Sequence, residues 1–198
     1  MMTAIIDYGA GNLFSVQNAL NYLGIPNTVT SEVSQLRKAD RLILPGVGAF
    51  PDAMKMLAES GLIKELREQV KQKPLMGICL GMQMLFEKSY EFGETDGLGF
   101  IPGTVELMTP DDLLVPHIGW NKLINNAECP LLNGLGEPYV YFVHSYAAHC
   151  GSAYVAAYTD YGGNVPAVVF NGNVYGCQFH PEKSGEAGLE ILRNFAKI

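Results

Sequence analysis

Short apolar runs alternate with amphipathic segments in the first half of the chain. Three buried strands are predicted, at AIIDY (4–8), RLILPG (41–46) and PLMGIC (74–79). Helical spacing is found in NLFSVQNALNYLG (12–24), FPDAMKMLAESG (50–61), LIKELREQVKQK (62–73) and a segment starting with GMQMLFEKS (81–89). In the first of these, one helical face carries Leu13, Val16, Ala19, Leu20 and Leu23. Such alternation predicts a parallel sheet with helices on both faces.

The second half is richer in strands. Val, Tyr and Phe, which suit pleated surfaces, are dense in YVYFVHSY (139–146), SAYVAAYT (152–159), PAVVF (166–170) and VYGCQF (174–179). The last segment, 185–198, is predicted to be a helix with Leu189, Leu192 and Phe195 on one face. We therefore predict an α/β fold of three layers. A central, mostly parallel mixed sheet is flanked by helices, with a subsidiary antiparallel sheet, in one domain spanning residues 1–198.

Composition narrows the classes of function. The formal charge of −7 argues against nucleic acid, because binding to phosphates needs a basic surface. The chain has no polybasic block, no apolar run near the ~20 residues of a membrane span, and no signal-peptide pattern at its start. We therefore expect a cytoplasmic location and no membrane partner.

The cysteines and histidines do not suggest a metal centre or a cofactor. Four cysteines, Cys79, Cys129, Cys150 and Cys177, are far apart and form no CxxC pair, so free thiols are expected. The spacing of His117, His144, His149 and Cys150 matches no strong ligand pattern. GAGNLF (9–14) lacks the third glycine of a dinucleotide fingerprint and is interpreted as a strand-to-helix turn.

Cys79 is the candidate nucleophile. Gly77-Ile78-Cys79-Leu80-Gly81 has the G-x-nucleophile-x-G form of an elbow, in which glycines relieve crowding at a sharp strand-to-helix turn. The start of the next helix would favour the thiolate and offer the Leu80 N–H to an oxyanion. A buried structural cysteine explains the pentapeptide alone equally well.

His180 and Glu182 are the candidate base and its orienting carboxylate. A strand delivers His180 to its end, Pro181 stops the strand, and Glu182 follows. A carboxylate at that distance can hold the imidazole in the tautomer that a base requires. Alone, His-Pro-Glu is better explained as a strand end with a solvated Glu182–Lys183 pair, but the elbow reverses that preference.

A glycine-rich strand end supplies a third feature. Two glycines flank Val47 in Pro45-Gly46-Val47-Gly48, giving this peptide backbone freedom and letting a ligand approach closely. Taken alone, the segment is a simple Pro-Gly turn. Yet residues 45–48, Cys79 and His180 all lie at strand ends, which in a parallel sheet form the ligand crevice.

Together these motifs resemble the class I, triad-type glutamine amidotransferases, with a flavodoxin-like fold. PGVG, GICLGMQ and FHPEKS occur in that family's order and rough spacing. Further segments, IIDYGAGNLFSVQNAL, PHIGWNKL, YFVHSY and YTDYGG, resemble the glutaminase subunits of imidazole glycerol phosphate synthases. The resemblance covers nearly the whole chain, and from it together with the cysteine and histidine spacing we expect no cofactor and no metal.

The resemblance implies a role for each matching residue. Cys79 would attack the carboxamide of glutamine, with His180 as base and Glu182 as its orienting group. The N–H groups of Val47 and Leu80 would form the oxyanion hole. Substrate binding is implied for Gly46, Gly48, Gln83, His144, Ser145 and Tyr146.

The resemblance also implies a partner, a (β/α)8-barrel cyclase that receives the ammonia in histidine biosynthesis. Asn12, Trp120 and Lys183 would face it. From the residues alone, Asn12 is a helix N-cap, Trp120 a core residue and Lys183 a solvated lysine.

Three rival functions remain at this point. A related amidotransferase could feed another acceptor, such as a surface sugar. A stand-alone cysteine hydrolase, for example a γ-glutamyl peptidase, would need no partner. A thiol-bearing chaperone or redox sensor would use Cys79 but would need neither His180 nor Glu182.

Overall fold

Fourteen strands and six α-helices make up most of the chain, and the computed structural model describes all 198 residues. Strands β1 to β14 are, in order, Thr3–Ile6, Asn27–Thr30, Arg41–Gly46, Leu75–Cys79, Phe86–Ser89, Thr95–Asp96, Ile101–Leu107, His117–Lys122, Ile124–Asn125, Tyr139–His144, Tyr146–His149, Val155–Asp160, Asn164–Asn171 and Val174–Cys177. Helices α1 to α6 are Leu13–Tyr22, Val33–Lys38, Phe50–Glu59, Leu62–Gln69, Leu80–Gln83 and Gly185–Phe195. None of the helices is both long and apolar enough to cross a membrane.

An eight-stranded sheet forms the centre of the fold, in the order β2-β1-β3-β4-β14-β13-β12-β9. The five strands from β2 to β14 are parallel to their neighbours. The remaining pairs, β14–β13, β13–β12 and β12–β9, are antiparallel. Because β3, β4 and β14 are parallel neighbours, their carboxyl ends meet at one edge of the sheet. β3 and β4 end at residues 46 and 79, as the sequence predicts, whereas β14 ends at residue 177, two residues before the predicted end at 179.

Side chains alternate between two cores on the two faces of this sheet. In β3, Leu42 and Leu44 enter one core and Ile43 the other, the period of two expected for a strand buried on both faces. The first core also contains apolar residues of α2, α3 and α4. The second contains those of α1 and α6. The predicted three-layer α/β architecture is confirmed.

Two smaller sheets complete the molecule. Strands β8 and β10 form an antiparallel pair, called the β8–β10 ribbon below. A four-stranded sheet has the order β11-β7-β5-β6, in which only β5 and β7 are parallel. The ribbon packs Phe142 and Val140 into the core that contains α1 and α6.

Two sequence predictions were wrong in detail. The helix expected from residue 81 onward is a single turn, α5, followed by strand β5. All residues from Leu80 to Phe86 are buried, so no polar face exists to maintain a longer surface helix. The strand predicted over 139–146 breaks at Ser145 into β10 and β11, which belong to different sheets. Its continuous apolar pattern could not indicate the change of partner.

Candidate active site

The backbone at Cys79 has the strain expected of a nucleophile elbow. Cys79 ends β4 and caps α5 with φ 54° and ψ −113°. Only one other non-glycine residue, Phe92, has a positive φ. A bulky residue in this region costs about 1–3 kcal/mol and persists only where its surroundings fix it. The structure therefore holds Cys79 against its own backbone preference at the crevice edge of the sheet.

Backbone contacts between β3 and the elbow supply that restraint. A Cβ on Gly81 would overlap the carbonyl oxygen of Leu44, and one on Gly46 would lie 2.5 Å from the Gly81 nitrogen. A Cβ on Gly77 would lie 2.5 Å from the Gly81 oxygen. Real Cβ atoms do not approach backbone so closely, so these positions exclude any side chain. Gly46 thus packs the elbow, and it does not line the cavity described below.

The Cys79 thiol is almost enclosed, with 8% of the residue exposed. Its Sγ lies 3.8 Å from the carbonyl oxygen of Val143, to which the thiol donates. The side-chain amide of Gln178 points at the same sulfur, with Nε2 at 4.0 Å. The following helix is only one turn long, so the helix dipole contributes less to the thiolate than the sequence suggested. Side chains and single peptide groups must therefore supply most of the electrostatic support.

His180 and Glu182 form a buried pair beside Cys79. His180 Nδ1 lies 2.8 Å from Glu182 Oε1, and both side chains are almost inaccessible to solvent. The backbone N–H of His180 donates to the Tyr141 carbonyl at 3.0 Å, and Ser184 Oγ donates to the backbone carbonyl of His180 at 2.6 Å. These bonds anchor the His180 backbone to the β8–β10 ribbon and to the residue that precedes α6.

The charge state of His180 depends on its two partners. Burial alone would lower the pKa of His180, but hydrogen bonding and charge interaction with Cys79 and Glu182 raise it to about 9. Cys79 and His180 are thus close enough to interact, although the resting thiol donates to Val143. The arrangement favours an imidazolium next to the sulfur, which is the state that supports a thiolate.

A cavity of about 570 Å³ opens over these groups. Ten of the predicted site residues line it: Val47, Gly48, Cys79, Leu80, Gln83, His144, Ser145, Tyr146, His180 and Lys183. Glu182 lies behind His180, as an orienting group should. A somewhat larger cavity, of about 630 Å³, lies between β11 and β13 and contains no residue of the Cys79–His180–Glu182 group. The presence of Cys79 and His180, and not its size, therefore identifies the smaller cavity as the candidate active site.

Comparison with known proteins decides the family. The family model described as "Glutamine amidotransferase class-I" matches residues 4–198. The chain belongs to the class-I glutamine amidotransferase family. The resemblance inferred from the motifs is confirmed, and with it the glutaminase class of enzyme.

Curated relatives within the family align over the whole chain. "Imidazole glycerol phosphate synthase subunit HisH" of Listeria monocytogenes serotype 4b (strain CLIP80459) is 48% identical, covering 100% of this chain and 96% of the relative. The protein of the same name from Bacillus cereus (strain G9842) is 51% identical, covering 100% and 95%.

Solved structures share the fold. A protein described as "Crystal structure of glutamine amidotransferase" superposes with a TM-score of 0.77 at 24% identity, covering 98% of this chain and 99% of that one. "Structure of PurLQS from Thermotoga maritima" gives 0.79 at 20% identity, covering 99% and 97%.

In this amidotransferase, Gln83 and His144 are held by neighbouring groups. Gln83 Nε2 donates to the Tyr146 carbonyl at 2.9 Å and to Gln178 Oε1 at 3.1 Å. His144 Nδ1 donates to the same Tyr146 carbonyl at 2.9 Å, and its Nε2 lies 3.0 Å from His117 Nδ1. Burial lowers the pKa of His144 to about 4, so its ring is neutral near pH 7.

The two predicted oxyanion donors of the amidotransferase differ in their surroundings. Leu80 is buried at the start of α5 beside the sulfur. Val47 is exposed, and Gly48 next to it has φ +99°, with nothing within 4 Å of the position that a Cβ would occupy. The Leu80 peptide is therefore fixed by packing, whereas the Val47 peptide has room to turn.

The three predicted interface residues do not lie together in the cavity. Lys183 lines it. Asn12 accepts from the Ser15 N–H at 3.4 Å and caps α1, as its sequence position predicts. Trp120 lies on the ribbon and is 53% exposed, so the expectation that it belongs to the core was wrong.

Sequence reasoning missed Glu91 and Gln178 in this amidotransferase site. Glu91 lines the cavity, is almost fully buried, and accepts the Phe50 N–H at 2.7 Å. Its loop, between β5 and β6, has no motif, and only its position opposite α3 reveals it. Gln178 lies two residues before His180, in a run that otherwise indicates core.

Replacing Glu182 with glutamine is expected to lower the glutaminase rate about a hundredfold, since Gln accepts from Nδ1 but does not stabilise the imidazolium.

The free energy of unfolding that is lost in Glu182→Gln should depend on pH. The pKa of His180 is raised from 6.5 to about 9 in the folded protein. Its stabilising contribution is therefore complete below about pH 6.5 and lost as pH rises through about 9.

Urea unfolding of wild type and Glu182→Gln between pH 6 and 9.5 checks this. The difference in unfolding free energy should be largest at pH 6 and shrink above pH 9. Glu128→Gln, at an exposed glutamate, should show no such trend. A pH-independent difference for Glu182→Gln would mean that this carboxylate does not support a charged His180.

Proposed function

We propose that this chain is the glutaminase subunit of an imidazole glycerol phosphate synthase, acting in the cytoplasm as a single domain over residues 1–198. The observation that carries the proposal is the burial of Cys79, His180 and Glu182 around one cavity. Full-length similarity of 48–51% to HisH subunits supports the choice of synthase. The partner is a (β/α)8-barrel cyclase, and the substrate is glutamine.

Hydrolysis begins from the ion pair that forms when the Cys79 thiol passes its proton to the neutral His180 ring. The thiolate, held beside the imidazolium, then attacks the side-chain carboxamide carbon of glutamine. The oxyanion is stabilised by the N–H groups of Leu80 and Val47. Collapse breaks the C–N bond, and His180 gives its proton to the leaving nitrogen, releasing ammonia. Water, deprotonated by His180, then cleaves the γ-glutamyl thioester to glutamate and restores the thiol.

The resting thiol donates to Val143, so the first step includes a turn of Sγ away from that carbonyl. Glu182 Oε1 holds Nδ1 throughout, leaving Nε2 for the proton transfers. Gln83 uses both amide hydrogens on Tyr146 and Gln178, which leaves its Oε1 as an acceptor for glutamine.

Glu91 is proposed to bind the α-ammonium group of glutamine. Burial raises the pKa of Glu91, and a cation in the cavity would compensate that cost. Glu91→Gln keeps an acceptor for the Phe50 N–H but removes the charge. We expect KM for glutamine to rise at least about tenfold with kcat changed much less, because a charged hydrogen bond contributes about 1.5–3 kcal/mol.

Steady-state glutaminase kinetics measure this, with Glu94→Gln in the same loop as control, since Glu94 is exposed and pairs with Lys88. An unchanged KM in Glu91→Gln would place the ammonium group elsewhere.

An exposed apolar surface supports a partner. On the outer face of the β8–β10 ribbon, Ile118 is 59%, Trp120 53% and Tyr139 61% exposed. Val143 and Tyr141 lie opposite Ile118 and Trp120 in register. Adjacent large apolar side chains at the surface are typical of a protein interface. The same ribbon contacts Cys79 through Val143 and His180 through Tyr141.

The test is a glutaminase assay with and without a barrel cyclase and its nucleotide ligand. We expect weak activity of the isolated chain and a marked rise in the complex. Trp120→Ala should lose most of the stimulation, whereas Tyr22→Ala, an exposed aromatic on α1, should keep it. High glutaminase activity that is the same with and without the partner would favour a stand-alone hydrolase. Stimulation only by another synthase would favour a different acceptor.

A further inference from the structure

Gln178 is a fully buried carboxamide in a segment that otherwise indicates core. Its neighbours Cys177 and Phe179 are also fully buried. Its backbone N–H donates to Ala167 at 2.9 Å, so the main chain needs no help from the side chain. Burying an amide costs free energy unless its groups are hydrogen bonded. The side chain is therefore retained for the contacts that its two ends make.

Those contacts fix the orientation of the amide. Gln178 Oε1 accepts from Gln83 Nε2 at 3.1 Å, which leaves Gln178 Nε2 directed at Cys79 Sγ, 4.0 Å away. If the amide were flipped, two donors would face each other at Gln83. Gln83 is itself fixed by its second bond, to the Tyr146 carbonyl. The donor at the sulfur is thus set by a chain of hydrogen bonds that starts at β11.

We propose that Gln178 is a positioning residue for the nucleophile: held by Gln83, it directs an N–H at Cys79 Sγ and stabilises the thiolate. This role rests on the proposed glutaminase function. A charged acceptor strengthens a hydrogen bond about twofold over a neutral one, so the contact favours the thiolate over the thiol. The donating amide is polarised by its own acceptor bond with Gln83, which adds to the effect.

The same chain connects substrate recognition to the nucleophile. Gln83 lines the cavity with a free Oε1, and its amide group holds Gln178. A glutamine substrate that binds Gln83 would restrict the motion of these hydrogen-bonded side chains and so hold the Gln178 N–H against the sulfur. His180 and Gln178 then support the thiolate from two directions, which compensates for the short α5.

The test is the pH dependence of Cys79 alkylation by iodoacetamide in the full-length protein, followed by mass spectrometry of the Cys79 peptide. Gln178→Met preserves side-chain volume but removes the donor. We expect the pH of half-maximal alkylation rate to rise by about one unit, equivalent to a tenfold change or about 1.4 kcal/mol. Gln72→Met, at an exposed glutamine, is the matched control and should match wild type.

A purely structural Gln178 would lower the melting temperature of Gln178→Met and leave the alkylation midpoint unchanged, and that result overturns the proposal. In the partner-stimulated assay, kcat should fall about tenfold, and KM should also rise because Gln83 loses its partner. Wild type that never hydrolyses glutamine would contradict the proposed function instead, while the alkylation comparison still decides the role of Gln178.

Should Gln178→Met fail to fold, NMR of the wild type gives the answer. The side-chain NH2 resonances of Gln178 should shift with pH at the alkylation midpoint, and that transition should be absent in Cys79→Ser. Resonances that do not respond to pH in the wild type would exclude the contact.

Discussion

Replacing Cys79 with alanine is expected to abolish glutamine hydrolysis, lowering kcat by at least roughly 10⁴-fold. The reason is chemical: a γ-glutamyl thioester needs the sulfur, and no other thiol lines the cavity. His180 and the oxyanion donors would remain, but positioned groups without a nucleophile give only weak catalysis through water. Release of ammonia or glutamate, measured with and without the proposed cyclase partner, checks the prediction.

The fold and partner binding should survive this substitution. Cys79 is almost enclosed, and the proposed docking surface is the outer face of the β8–β10 ribbon. Alanine removes only the sulfur, so partner affinity measured by calorimetry should stay within about twofold. Cys150→Ala is the matched control, since Cys150 lines the other cavity, and should retain wild-type activity. Substantial turnover by Cys79→Ala would remove the proposed nucleophile.

Much of the site could be anticipated because its parts lie at strand ends. RLILPG and PLMGIC are short and largely apolar, the first ending in Pro45-Gly46 and the second beginning at Pro74, and both are central strands with nearly the predicted bounds. Parallel neighbours bring their carboxyl ends together regardless of the residues between them. Three motifs more than thirty residues apart thus predict one crevice, and the structure places Val47, Cys79 and His180 around it.

What the sequence could not indicate depends on contacts between distant segments. Glu91 matters because its carboxylate meets the Phe50 N–H, 41 residues away. Gln178 matters because its amide lies between Gln83 and Cys79, 95 and 99 residues away. The end of α5 after one turn also depends on tertiary packing. Leu85 and Phe86 are fully buried, and the periodicity of apolar residues along the sequence does not indicate this. For Gln178, the one indication in the sequence was a polar residue within an otherwise apolar strand segment.

Replacing Gly81 with alanine is expected to lower the free energy of unfolding by at least about 3 kcal/mol. Two effects oppose each other. Alanine favours the helix by about 1 kcal/mol relative to glycine. Its Cβ, however, would overlap the Leu44 carbonyl oxygen and lie 2.8 Å from the Leu44 carbon, both backbone atoms of the central strand β3. Backbone at the centre of a sheet cannot move aside, so the clash dominates.

Urea unfolding of Gly81→Ala measures the loss, with Gly136→Ala as control. A Cβ at Gly136 meets nothing within 4 Å and its φ is not left-handed, so that variant should stay within about 0.5 kcal/mol of wild type. Any folded Gly81→Ala must displace the elbow from β3, and a shift of about 1 Å costs roughly a hundredfold in rate. A stable, fully active Gly81→Ala would mean that contact with β3 does not hold Cys79 in its strained conformation.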